Sequence, residues 1–90
     1  MTLQILARFE VFKKLWAMTM PEGVGVPPSQ TFIAWLSVYS DEEVQAAILR
    51  TGNKMVWKVQ QGLTIQETDA ARYCSSVLGS NARQKNKVQA

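Results

Sequence analysis

Ser40-Asp41-Glu42-Glu43-Val44-Gln45-Ala46-Ala47-Ile48, continuing through Leu49-Arg50-Thr51-Gly52-Asn53-Lys54-Met55-Val56-Trp57-Lys58-Val59-Gln60-Gln61, is the stretch whose reading decides the fold. Ser40 with Glu43 three residues on forms a capping box, in which side chains satisfy the orphan amides of a new helix. Asp41, Glu42 and Glu43 fill the first turn, where the helix dipole favours negative charge. Val44, Ala47, Ile48, Thr51, Met55 and Val59 then hold one helical face as far as Gln61. Gly52 interrupts that face at a cost of about 1 kcal/mol relative to alanine. The pattern predicts one long helix with a weak or bent middle; two shorter helices broken at Gly52-Asn53 are the second choice.

Toward the N-terminus, Ser29 follows Pro27-Pro28 and is placed to cap a short helix through Phe32, Ile33, Leu36 and Tyr39. Pro21, Gly23, Gly25, Pro27 and Pro28 break the chain before it, so 20–28 is expected to be an irregular link. Ile5, Phe9, Phe12 and Trp16, widened by Leu6 and Leu15, recur at helical spacing and predict a first helix from Leu3 to Met18. Toward the C-terminus, Gly62 is a helix stop. Thr64-Ile65-Gln66-Glu67 is a second capping box, opening a helix with Ala70, Ala71, Tyr73, Cys74, Val77 and Leu78 on its apolar side. Gly79 is expected to end it, and 80–90 to follow as a polar, unordered tail. The expected fold is therefore all-α, a compact bundle of about four helices in one domain over 1–79, with a disordered basic tail at 80–90. No internal repeat and no alternating strand pattern competes with it.

The net charge of +3 is unevenly placed. Arg8, Lys13, Lys14, Arg50, Lys54, Lys58 and Arg72 balance the 7 carboxylates, so the excess is Arg83, Lys85 and Lys87 of the tail. The 47% hydrophobic content fills a core and leaves enough over to bury against a second copy. Homo-oligomerisation or a protein partner is therefore expected. Cys74 is the only cysteine, which fits a reducing, cytoplasmic setting. No run approaches the ~20 apolar residues of a membrane span, and no membrane role is expected.

The chemistry available is narrow. There is no histidine, hence no commonest general base or nitrogen ligand. One cysteine cannot build a thiolate zinc site, and Cys74 sits on an apparently buried stripe that makes it a core residue rather than a nucleophile. Gly23 and Gly25 form a lone Gly-x-Gly with no preceding strand, and Asp41, Glu42 and Glu43 are accounted for by capping rather than by a cation. The expectation is a non-enzymatic protein with no cofactor, no metal and no small-molecule substrate.

Two features point to binding. Arg50, Lys54 and Lys58 stand four residues apart, about 6 Å along one helix face, with Trp57 beside them. Cations at that spacing match phosphates and gain from counterion release, and Arg83, Lys85 and Lys87 add a second basic arm. The plainer reading of the row is a solvated face whose long stems cover the core. A helix-turn-helix reading of the stretch around Gly62 places Glu67 and Asp69 at the start of the recognition helix, where they would oppose phosphates. On the first helix, Phe9, Phe12, Leu15 and Trp16 either fold back into the chain's own core or form a protein interface.

Phe32-Ile33-Ala34-Trp35-Leu36 with Tyr39, then Glu43-Val44-Gln45-Ala46-Ala47-Ile48, then Arg72-Tyr73-Cys74-Ser75-Ser76-Val77-Leu78, resemble the helical domain of DnaD-type replication-initiation proteins. The resemblance covers about half the chain and implies a helical fold with a DNA-linked accessory role. The aromatic-rich motif that follows the last helix in that family is missing here, so the family's DNA contacts are not carried over. The expected function is a nucleic-acid-associated accessory module, phage-, plasmid- or replication-linked. The alternative is a protein-interaction adaptor or homodimerisation domain without nucleic-acid contact.

Overall fold

A computed structural model describes residues 3–66 and 68–89, with side chains described for 4–66 and 68–80. The described residues form four helices and no strand: α1 (Leu3–Thr19), α2 (Ser29–Val38), α3 (Asp41–Gln60) and α4 (Asp69–Gln89). The all-α bundle expected from the sequence is the observed architecture.

α3 is the spine. Ser40 caps it, its Oγ accepting the Glu43 amide at 3.2 Å. The helix runs unbroken through Gly52, so the single long helix is the correct choice. It ends in a Schellman motif: Gly62 turns to φ 75°, its amide reaches the Val59 carbonyl, and the Leu63 amide reaches back to Lys58.

Gly52 is explained by α1. A Cβ built at Gly52 would lie 2.9 Å from the Thr19 carbonyl oxygen and would collide with the Thr19 methyl. The last turn of α1 thus rests directly on the backbone of α3, and the glycine's helix cost is the condition of that approach. At the other end of α1, Arg8 meets Asp41. The two contacts, Arg8–Asp41 and Thr19–Gly52, share one sequence separation of 33, so α1 and α3 run parallel and in step. α2 returns the chain between them, as a parallel pair requires. α4 packs antiparallel to α3, held by Lys58–Asp69 near the turn and by Thr51 and Cys74 further along.

The core lies where α1, α2 and α4 meet the inward face of α3. Phe12 and Trp16 from α1, Phe32, Trp35 and Leu36 from α2, Val44, Ile48 and Met55 from α3, and Cys74, Val77 and Leu78 from α4 are all buried. Phe32 is its aromatic centre, edge-on to Phe9, Trp16 and Trp35 at centroid distances of 5.6, 5.8 and 5.4 Å. The buried indoles are satisfied: Trp16 Nε1 donates to the Gly25 carbonyl and Trp35 Nε1 to Ser75 Oγ, both at 3.1 Å. Trp16 thereby ties the Pro/Gly link to α1.

Three boundaries differ from the sequence reading. α2 has Pro28 at its N-cap position with no side-chain cap, and Ser29 is already helical. The proline ring fixes φ at −55°, and its carbonyl accepts the Thr31 and Phe32 amides, so the helix opens without a serine cap. α4 opens at Asp69 and not at Thr64. The Asp69 carboxylate accepts the Gln66 amide at 2.8 Å, while the Thr68 carbonyl starts the helix by accepting from Arg72. Glu67 of the expected second capping box lies outside the described residues. Finally, α4 passes through Gly79 to Gln89. Gly79 has no positive φ, and the Ala, Arg, Gln and Lys that follow are strong helix formers that outweigh its cost of about 1 kcal/mol.

Candidate contact faces

α3 presents two outward flanks on either side of its buried face. On the flank toward α4, Arg50, Lys54 and Trp57 recur at steps of four and three, the spacing of one helix side. Arg50 is exposed. Lys54 is half-buried, its Nζ 4.4 Å from the centre of the Trp57 ring, a cation–π contact. Trp57 is itself 46% exposed, well short of the burial expected of a core indole. Lys58 is turned from this row toward the hairpin, with its Nζ 3.8 Å from Asp69. The four residues proposed from the sequence as a basic row thus divide: Arg50, Lys54 and Trp57 share a surface, while Lys58 is paired to a carboxylate. The side chains of Arg83, Lys85 and Lys87 lie outside those described. The α3–α4 pair is an antiparallel hairpin, and its first α4 residue, Asp69, is the partner of Lys58.

The flank toward α1 is of the opposite character. Gln45, Leu49, Gly52 and Val56 line that side of α3 at steps of four, three and four, and Thr19 covers only the glycine. Alongside, Ala7, Val11, Leu15 and Met18 recur on α1 at steps of four, four and three. Val11 is 62% exposed, Met18 84%, Leu49 43% and Val56 39%, and Leu15 is half-buried. Because the helices are parallel and in step, the two stripes run side by side along one seam from Gln45 to Gly52, and Val56 lies one turn beyond the end of α1. A shallow cleft of about 430 Å³ marks its upper part, with Ala7, Val11 and Leu15 on one wall and Asp41 and Gln45 on the other. Arg8 closes its floor. Its guanidinium donates to Asp41 at 2.6 Å and to the Leu36 carbonyl at 3.0 Å, so it pins α1 to the α2–α3 corner.

The aromatic residues singled out on the first helix sit elsewhere. Phe12 and Trp16 are buried in the chain's own core, and Phe9 and Leu15 pack against it. They are spent on folding, and the residues α1 turns outward are Val11 and Met18. Composition conceals this, because α1 carries apolar residues on more than one side, and the heaviest go inward.

Among the described residues, no titrating centre competes with these faces. Cys74 is fully buried beside Thr51, and burial pushes its thiol up to about 11, the Thr51 hydrogen bond opposing only part of that shift. At neutral pH it is a protonated core residue with little nucleophilic character. Among the described residues, no group of three or more His, Cys, Asp or Glu side chains is arranged to hold a metal ion. Among them, too, no helix is long and apolar enough to cross a membrane.

The architecture is that of a small all-α module with an apolar seam on one side of α3 and a short aromatic-basic patch on the other. No protein-family model, no curated protein and no solved structure matches this chain.

Proposed function

We propose that this protein is a non-enzymatic helical interaction module whose working surface is the α1/α3 seam, and whose partner is protein. The observation that supports the reading is the exposure of apolar side chains on the adjoining flanks of two helices that run in step: Val11 and Met18 on α1, Leu49 and, one turn past the end of α1, Val56 on α3. Single exposed apolar residues are ordinary on a protein surface, but a contiguous stripe is a mark of an interaction site. The seam is built on a helix pair brought together at both ends by Arg8–Asp41 and Thr19–Gly52.

A second reading, nucleic-acid contact through Arg50, Lys54 and Trp57, is favoured by one observation. An indole 46% exposed, with an ammonium 4.4 Å above its ring, is a platform on which a base can stack beside a phosphate-seeking cation. The DnaD-type resemblance runs in the same direction. The patch ranks second because it is short: Lys58, the third cation of the row read from the sequence, is turned to Asp69, and Lys54 is already engaged by Trp57.

Photo-crosslinking separates the two. A benzophenone amino acid at Met18 is expected to give protein adducts in cells, and the same group at Arg50 none. Nucleic-acid adducts from position 50, with no protein adducts from position 18, would reverse the order of the two readings.

A further inference from the structure

We infer that the groove between the Pro/Gly link and α4 takes the C-terminal residues of a partner chain, extended, with their terminal carboxylate against Arg72. The groove shares no lining residue with the α1/α3 seam. Two adjoining clefts, of about 230 and about 440 Å³, make it up, and Pro28, Thr68 and Ala71 line both. Val26 and Pro27 continue it at one end, Arg72 and Ser75 at the other. From Thr68 to Ser75 the helix rises about 10 Å, the reach of about three extended residues. Both ends are fixed from the core. Trp16 Nε1 donates to the Gly25 carbonyl and Trp35 Nε1 to Ser75 Oγ, and both acceptors line the groove.

Charge and backbone together choose the occupant. Residues 23–40 carry no charged side chain, so the wall made by the link and α2 is neutral. Among the described residues, Arg72 is the only charge lining the groove, and it is exposed and in no ion pair. Asp69, one turn before it on α4, is drawn to Lys58 instead. One turn after it, Ser75 accepts the Trp35 indole at 3.1 Å and keeps its own hydroxyl proton to donate. A guanidinium fork and a hydroxyl one turn apart on one helix face are donors matched to a carboxylate. At the other end, Val26 and Pro27 each precede a proline, which holds them extended. Among the described residues, neither the N–H nor the C=O of Val26 has a hydrogen-bond partner. An extended peptide laid beside Val26 pairs with both groups, as an added strand does. A small carboxylate without a backbone has nothing to offer them, so the ligand is a peptide end. Pro27, Pro28 and Ala71 between the two ends supply apolar walls for its side chains.

The three indoles of the chain report the test. Isotopically labelled full chain is titrated with the probe acetyl-Val-Ala-Val bearing a free carboxyl terminus, and the indole N–H resonances are followed. Those of Trp16 and Trp35 are expected to shift, because their acceptors line the groove, while that of Trp57, which lines neither cleft, stays fixed. The same peptide as its C-terminal amide is expected to bind about tenfold or more weakly, the scale of a lost charge-assisted contact. Arg72→Gln, at an exposed position, is expected to bring the free acid down to the affinity of the amide and to leave the amide unchanged. An unliganded spectrum of Arg72→Gln like that of the wild type shows that its fold is intact. An amide that binds as tightly as the acid, or an Arg72→Gln chain that binds the acid as the wild type does, would overturn the carboxylate contact. A peptide that shifts only Trp57, or no indole up to several millimolar, would overturn the groove as its site. Crosslinking at Met18 reads the seam separately from either result.

Discussion

The two flanks of α3 are built from the same helix, yet they are different kinds of surface. On the α4 side, Lys54 lies on Trp57 and Lys58 reaches Asp69, so polar groups have found partners within the chain. On the α1 side, Leu49 and Val56 join Val11 and Met18 in a stripe that, apart from Thr19 over Gly52, the fold leaves uncovered. A row of cations looks like a functional signal in sequence because each charge is counted as free. In the fold that freedom is partly used up. Apolar residues err in the opposite direction: they are counted as core, and the ones left over become visible only when the core is seen to be full.

The sharpest way to break the comparison is to exchange inside for outside on α1 itself. Trp16→Ala removes a fully buried indole and its hydrogen bond to Gly25, and a loss of about 3–5 kcal/mol is expected, enough to leave so small a domain largely unfolded. Met18→Ala, two positions along, is expected to change stability by less than about 0.5 kcal/mol in dilute protein. Urea denaturation followed by circular dichroism reads both. Comparable losses at the two sites would mean that α1 is rotated from the position described.

A smaller effect tests how tightly the α1 flank is closed. In an undocked helix, Gly52→Ala would stabilise α3 by about 1 kcal/mol through helix propensity. With the Thr19 backbone against it, the added methyl is expected to destabilise by about 1–3 kcal/mol instead. A melting temperature lowered by several degrees supports the close approach, and a raised one contradicts it. The sign alone decides.

Much of the fold was legible in the sequence, and the illegible parts share a cause. The Ser40–Glu43 box and the stop at Gly62 are local signals that report local hydrogen bonds, and both fall where they were read. The helical spacing of α1 and the inward stripe of α4 were equally plain. Gly52 was not, because its reason is the backbone of a residue 33 positions away, and only tertiary structure shows it. The opening of α4 is not legible, because Thr64 and Glu67 make a capping pattern in the sequence while the helix opens at Asp69. Asp69, bonded back to Gln66, fixes the actual turn. The contact face was the least legible. The eye goes to Phe9, Phe12, Leu15 and Trp16 for their size, and size is what sends Phe12 and Trp16 to the interior, with Phe9 and Leu15 packed on it. The signal available was the second stripe, Ala7-Val11-Leu15-Met18, which shares only Leu15 with the first.

The chain supplies its own probes for the central claim, since Met18 lies on the seam while Met55 is fully buried. Methyl spectra of methionine-labelled protein in the presence of a soluble paramagnetic agent read both at once. The Met18 methyl resonance is expected to broaden strongly while that of Met55 stays sharp. A Met18 signal as protected as that of Met55, or a Met55 signal that broadens with it, would contradict the account.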